Sequence, residues 1–301
     1  MRFKKLDLNL LVALDHMIET RSVSAAADKM FMSQSAMSNA LTRLRDYFDD
    51  PLLVQVGRRM EVTPRAEAMR PAIRDILVRI EATIDSKPEF RPEDSTRVFN
   101  ILLSDYSLRV LMPTVFRLLD RYKSSIRLNL HAQTDLPQVL LERGEIDLLI
   151  TPEHFVSNDH PTALLYEDRY VVVAWAKGKF ADVTMDQATY QSASHAVMVP
   201  PNAAKSLETS LLTQCGIERH IEVQTFSFTN LPHLITGTDR IATVHARLAK
   251  LLAPQAELVT YPMPAQLPPL RQMLQWHAYR DNDPGIIWMR ELMSQAAQEL
   301  P

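Results

Sequence analysis

One cysteine in 301 residues, Cys215, leaves no partner for an internal disulfide and no thiolate cluster for a structural zinc site. Six scattered glycines allow no glycine-rich phosphate loop, the histidines form no HExxH pair, and no serine sits in G-x-S-x-G. Glu153 and His154 are adjacent rather than one helical turn apart, a poor metal pair. Asp105 and Asp147 could face one another as carboxylates, but an acid at a strand end is more often structural. Neither catalysis nor a cofactor is therefore expected. No apolar run approaches the roughly 20 residues needed to span a bilayer. The start, MRFKKLDLNLL, soon gains acids and lacks a small-residue cleavage site, so we expect a cytoplasmic protein. Charge of one sign is also scarce. The net value of -3 gives no strongly basic footprint, although residues 1–65 carry 10 Lys and Arg against 8 Asp and Glu, which leaves the remainder acidic.

What is present suits a globular protein of one large or two to three ordinary domains, with 46% apolar and 23% charged residues. Asp7 can cap a first helix to about Thr20, with Leu6 and Leu11 as a staple and Leu10, Leu14 and Met17 on one face. Ser22 caps an alanine-rich helix over 23–30, Phe31 and Met32 fill a turn, and Ser33 caps the next helix. There Met37, Leu41, Leu44 and Phe48 recur at helical spacing. LLVQV and MEV, joined by Gly57, Arg58 and Arg59, predict a small hairpin with a basic tip. Thr63 and Pro64 open a long helix to about Asp85. Along it Ala66, Met69, Ile73, Ile76, Ile80 and Ile84 recur as the seam of a two-helix coiled coil, and Pro71 should bend it.

The proline-rich, charged stretch over 86–96 is the expected hinge. Beyond it VFNILLS, a helix over 111–122, IRLNLHA, LPQVLLERG and IDLLIT follow βαβαβ order, which predicts a parallel sheet covered by helices. A second such unit begins at YVVVAWA and includes HAVMVP, IEVQTF and IATV. LRQMLQWHAYR predicts a late strand before a final helix over 284–299, anchored by Trp288 and Leu292. The expected division is 1–63, 64–96 and 97–301.

Two short helices joined by a tight turn make a helix-turn-helix, whose second helix enters the DNA major groove. With its apolar stripe turned inward, that helix presents Gln34, Ser35, Ser38, Asn39, Thr42 and Arg43 outward, with Ser33 at its start. Gln and Asn can bond adenine and Arg guanine, hydroxyls suit bases or phosphates, and the helix N-terminus attracts a phosphate. The same residues would also serve as an ordinary solvated face. Arg58 and Arg59 are placed to clamp a backbone or reach a minor groove, or else are merely soluble turn residues. In the second half, ligands gather at the carboxyl ends of strands. Ser104, Asp105 and Tyr106 form one such rim. Ser104 either bonds a ligand or caps a helix, and Thr134 shares that ambiguity.

The segment Ser22–Arg45, with AAA at 25–27 and SQSAMS at 33–38, followed by DPLLVQVGRRMEVTPRAEA, resembles the winged helix-turn-helix of LysR-type transcriptional regulators. LERGEIDLLI and GTDRIATVHARLA are similar to that family's effector-domain segments. RFKKLDLNLLVALD, YEDRY and DPGIIWMREL resemble the branch holding nodulation-gene activators and regulators of aromatic-compound degradation. Where many members carry a glutamate, this chain has Arg45. The resemblance implies double-stranded promoter DNA as partner, a homodimer through the long helix and usually a tetramer. It also implies a two-lobed, doubly wound α/β domain that binds a small organic, aromatic effector between its lobes. The first lobe would take about 97–165 and 270–301 and the second 166–269, with crossings near 165–168 and 268–271. From the second lobe the resemblance points to Lys205, Phe228, His245 and Arg247. A cation in the cleft would suit an acidic or phenolic ligand. A surface salt bridge for Arg247 and a helix cap for His245 are the alternatives. Proline in place of His245 and histidine in place of Lys205 are expected in related aromatic-acid sensors.

Overall fold

The Asp7 carboxylate accepts the Asn9 amide at 2.9 Å and so caps α1 (Leu8–Thr20). Ser22 caps α2 (Val23–Lys29) through the Ala25 N–H, and Ser33 caps α3 (Gln34–Phe48) through that of Ala36. Each cap satisfies a donor that the first turn of a helix leaves open. The computed structural model describes residues 7–57, 59–84, 90–200 and 206–300, so Leu6, Arg58 and Lys205 lie outside the described residues. Leu10, Leu14, Met17, Ala26, Ala27, Met37, Leu41 and Leu44 are buried in one core, the two alanines letting α2 approach its neighbours closely. A hairpin of β1 (Leu53–Val56) and β2 (Arg59–Val62) follows, paired from Leu53 with Val62 to Val56 with Arg59. Gly57 takes the turn at φ +63°, a conformation that favours glycine. Arg45 of α3 donates to the carbonyls of Pro51 and Leu53 at 2.8 and 2.7 Å, so the base of the hairpin is fastened to that helix.

Thr63 caps α4 (Pro64–Ile84) through the Ala66 N–H and donates to Asp50 at 2.7 Å. The helix is continuous through Pro71. The expected seam is divided. Ala66 and Ile73 are buried within this unit's own core and Met69 packs against it, whereas Ile76 is 42% exposed. Periodicity measures an apolar face but not which partner covers it. Asp15 of α1 is also buried, with Arg74 Nε of α4 2.5 Å away.

The second unit holds two five-stranded sheets. The first lobe is built from β3 (Val98–Leu103), α5 (Asp105–Val110), α6 (Met112–Leu119), β4 (Arg127–Ala132), α7 (Pro137–Glu142), β5 (Leu148–Pro152) and β6 (Thr162–Asp168). The second takes β7 (Tyr170–Trp175), α8 (Gln187–Ser192), β8 (Ser194–Met198), α9 (Leu207–Gln214), β9 (His220–Thr225), α10 (Leu231–Ile235), β10 (Arg240–His245), α11 (Ala246–Leu252) and β11 (Leu258–Pro262). The chain then returns on β12 (Leu270–Trp276) and ends in α12 (Pro284–Gln298). Strand orders are β4-β3-β5-β12-β6 and β11-β7-β10-β8-β9. The sheets are mixed rather than parallel throughout. β3 pairs in parallel with β4 and β5, and β8 with β9 and β10. β12 runs against β5 and β6, and β7 against β10 and β11. β7 and β12 are the strands on which the chain enters a lobe from the other one, so each starts at the end where its neighbours finish. The first crossing falls between Asp168 and Tyr170, slightly beyond the expected lobe limit at 165. The helix expected over 111–122 starts earlier and is broken at Leu111, because Pro113 lacks the N–H that would continue α5.

Two ion pairs fix the first lobe. Asp147 does not face Asp105. It pairs with Arg280 and accepts the Asn100 amide at 2.7 Å. Arg97 donates twice to Asp283, at 2.6 and 2.8 Å, while Asp283 caps α12 through the amides of Gly285 and Ile286. A Cβ at Gly285 would collide with the Arg97 guanidinium. Burial penalises the Asp283 carboxylate, but the Arg97 hydrogen bonds and charge outweigh it, with help from the two amides, and hold its pKa below 3.8. The resulting stabilisation is present above the unfolded value and is lost as pH falls through the folded one. Asp283→Ala removes cap and counter-charge together. We expect it to destabilise the second unit by about 3–5 kcal/mol, measured by urea unfolding followed through Trp288 fluorescence.

Candidate nucleic-acid interface and ligand cavity

On α3 the side chains separate cleanly by face. Met37, Leu41 and Leu44 are buried, whereas Ser33, Gln34, Ser35, Ser38, Asn39, Thr42 and Arg43 are all exposed. Ser33 Oγ is held by its cap and lies 3.0 Å from Ser35 Oγ, and Thr42 donates to the Ser38 carbonyl. Among the described residues the side chains of Gln34, Asn39 and Arg43 carry no such local bond, which leaves their polar ends turned to solvent. Arg59, exposed, opens β2 rather than standing at the hairpin tip. Phe31, expected to fill the turn before α3, is 98% exposed at φ +53°.

The second unit has a partly open cavity of about 70 Å3 between its lobes. Ser104 follows β3, Pro152 ends β5, Met198 ends β8 and His245 ends β10, so four carboxyl ends converge on it. Tyr170 and Gln272 reach the same place from the beginnings of the antiparallel β7 and β12. The Tyr106 hydroxyl donates to Asp168 Oδ2 at 2.6 Å, and Asp168 also accepts the amides of Arg169 at 2.7 Å and Arg247 at 3.2 Å. Burial raises the pKa of Tyr106 and of Asp168, the hydrogen bond from Tyr106 opposing the shift on the acid. Next to Tyr106, the Asp105 carboxylate accepts Ser227 Oγ at 2.7 Å, the Thr229 amide at 2.9 Å and Thr229 Oγ1 at 3.0 Å. Adjacent residues at the start of α5 therefore tie the first lobe to the second.

His245 stands among Tyr106, Tyr170 and Phe228, with ring centroids 4.1, 5.2 and 5.0 Å away. Burial pushes its pKa down to about 3, so the ring is neutral. It makes no side-chain cap to α11. Asp168 performs that service by accepting the Arg247 amide. Ser104 caps α5 through the Ser107 N–H, and it lines the cavity as well. Three of the expected residues stand apart from this cavity. Asp105 spends its carboxylate on the inter-lobe bonds. Thr134 is exposed, and its neighbour Gln133 lines the cavity instead. Arg247 lies outside the cavity, with Nε and Nη2 on the Glu167 carbonyl at 3.4 Å and its guanidinium 5.9 Å from the Tyr166 ring. Sequence reasoning missed Gln272, although a polar residue inside the apolar strand LRQMLQW was an available signal. It also missed Glu208, whose buried pairing with Arg219 nothing local announces.

Residues 8–67 match the family described as bacterial regulatory helix-turn-helix protein, lysR family, and residues 93–298 match the LysR substrate binding domain. Nodulation protein D 1 of Sinorhizobium fredii is 39% identical over 301 residues, covering 100% of this chain and 94% of that protein. Nodulation protein D 3 of Rhizobium leguminosarum bv. phaseoli is 40% identical, with both chains covered completely. Among solved structures, a probable transcriptional regulator from Pseudomonas aeruginosa superposes with a TM-score of 0.67 at 30% identity, covering 100% of this chain and 99% of its own. No described helix is long and apolar enough to cross a membrane.

A second histidine, His195, is fully buried with Nε2 2.8 Å from the Tyr190 carbonyl, and burial lowers its pKa to about 4. His195 and His245 therefore both bind their proton less readily in the fold than the free value of 6.5. Below 6.5 the unfolded chain takes up protons that the native one refuses. Stability is full above that value and falls with pH toward 4, by about 1.4 kcal/mol per pH unit for each histidine. His245→Phe should remove about one proton from this slope, measured as unfolding free energy against pH.

Proposed function

The chain belongs to the LysR family of bacterial helix-turn-helix regulators, and from that premise we propose how it recognises DNA and what sets its activity. It is a DNA-binding transcriptional regulator with an effector-binding domain, in a family of regulators rather than enzymes. Gln34, Ser35, Ser38, Asn39, Thr42 and Arg43 read base edges from the major groove. Ser33 and the α3 N-terminus engage phosphate, and Arg59 engages the flanking backbone together with its neighbour Arg58. The single observation that carries this reading is the polar flank of α3, wholly exposed above an apolar stripe in which Met37, Leu41 and Leu44 are buried. Residues 1–63 form the reader, 64–96 the linker and 97–301 the sensor. α4 joins two copies and a tetramer places the readers on paired half-sites, in the cytoplasm.

The effector is a small organic ring compound held between the lobes. A cavity of about 150 Å3 accepts benzene, so the space present here must widen before a ring enters. Effector binding shifts the lobe equilibrium by its differential affinity for the two arrangements, and the shift alters the spacing or bending of the bound DNA.

Replacing both Asn39 and Arg43 by alanine should weaken promoter binding at least ~100-fold while leaving the thermal transition in place. Fluorescence anisotropy at a fixed salt concentration measures it. Undiminished binding by that double variant sinks the assignment of α3 as the reading helix. Asp105→Ala, which deletes three inter-lobe bonds, should speed amide hydrogen exchange at Thr229, and unchanged protection there would dismiss the widening step.

A further inference from the structure

The turn that ends α2 has a common shape and an uncommon residue. The Met32 amide donates to the Ala27 carbonyl at 2.9 Å and the Phe31 amide to that of Asp28 at 3.2 Å, the paired bonds that close many helices around one left-handed residue. Phe31 is that residue, at φ +53°. Glycine or asparagine is the ordinary occupant, because the Cβ of a larger residue crowds the backbone there. Both bonds are made by backbone atoms alone, so asparagine would close α2 at least as well. The ring gains nothing from the fold either. It is 98% exposed, whereas the neighbouring Met30 packs against the core of the first unit. A single apolar side chain on a surface is ordinary. One that is also held in an unfavourable backbone conformation directs attention to a role outside the folded chain.

The position of Phe31 identifies its partner. It precedes Ser33, the cap of α3, by two residues, so their Cα atoms lie within about 7 Å of each other. From Phe31 to Ser35 every side chain is exposed, two apolar and then three polar. A reading helix meets base edges with its N-terminal residues, and the ring is continuous with that end. Among the groups that base pairs display in the major groove, the thymine C5-methyl is the apolar one.

Resting on the reading of α3 as the groove helix, we propose that the Phe31 ring packs on the C5-methyl of a thymine at the edge of each half-site. The contact adds selectivity for thymine to the hydrogen bonds offered by Gln34 and Asn39.

Thymine and uracil differ by that methyl alone, and their comparison is the test. A duplex selected by the full-length wild-type protein from a randomised pool is remade with deoxyuridine in place of thymidine, one position at a time. Binding is followed by fluorescence anisotropy at a fixed salt concentration. At one position in each half-site the wild type should lose about fourfold in affinity for the methyl removed. Phe31→Asn keeps the left-handed turn and should bind both duplexes equally, with a melting temperature no lower than that of the wild type. Phe31→Gly repeats the measurement should the asparagine variant lose its fold. A uracil penalty that persists unchanged in these variants overturns the proposal. A change in the association state of Phe31→Asn without DNA, seen by sedimentation, assigns the ring to an interface between copies and overturns it as well. A wild-type protein that selects no duplex at all strikes the earlier reading of α3 and this one with it, whereas a duplex that is selected yet indifferent to uracil at every position strikes this one alone.

Discussion

The Asp168 carboxylate is the junction on which the second half of the molecule depends. It ends β6, where the chain leaves the first lobe, and it accepts the Tyr106 hydroxyl, the Arg169 amide and the Arg247 amide. One side chain thereby fixes the first lobe's α5, the crossing itself and the beginning of the second lobe's α11. Burial raises its pKa, and the hydrogen bonds work against that rise. In a low-dielectric setting each donor counts for more than it would in water, and each one lost leaves a buried acceptor open. Tyr106 is positioned by this bond, and Tyr106 stacks on His245. The wall of the cavity is therefore a consequence of the crossing between the lobes.

The two functional surfaces stand in opposite conditions. The polar flank of α3 is open to solvent and needs no rearrangement to meet a groove. The cavity is small, and bonds from Asp105 join the two lobes that border it. Net charge contributes little to either. With a total of -3, the chain has no overall basic field to draw phosphate, and under the proposed reading that attraction falls to locally placed cations such as Arg43 and Arg59 and to the dipole end of α3.

Local chemistry made much of this legible before any coordinates. Asp7, Ser22, Ser33 and Thr63 cap the helices assigned to them because a cap and its amide lie within three residues of each other. The hairpin and the strands β3, β4 and β5 follow from alternation and turn residues. What escaped is what the chain decides at a distance. The antiparallel course of β7 and β12 is set by the chain's return between lobes and not by their own residues. Arg247 turns to the Glu167 carbonyl, and its amide to Asp168, on a strand far away in sequence. Between Gln133 and Thr134 a single step of backbone decides which side chain meets the cavity and which meets water. The seam on α4 shows a different limit, since Ala66 and Ile73 are covered by their own unit and periodicity is silent about the owner of the covering surface.

The lobe clamp also fixes how sensitive the sensor can be. Three hydrogen bonds to one carboxylate, at about 1 kcal/mol net each, would leave the widened form populated at roughly 1% without ligand. An effector then binds about 100-fold more weakly than its contacts alone would give, because its apparent affinity scales with the competent fraction. That handicap is also the source of the response, since a cavity already open would let the effector bind without moving anything. Exchanging Ser227 or Thr229 for residues that donate less would lower the effector concentration needed, without altering any atom that the effector touches.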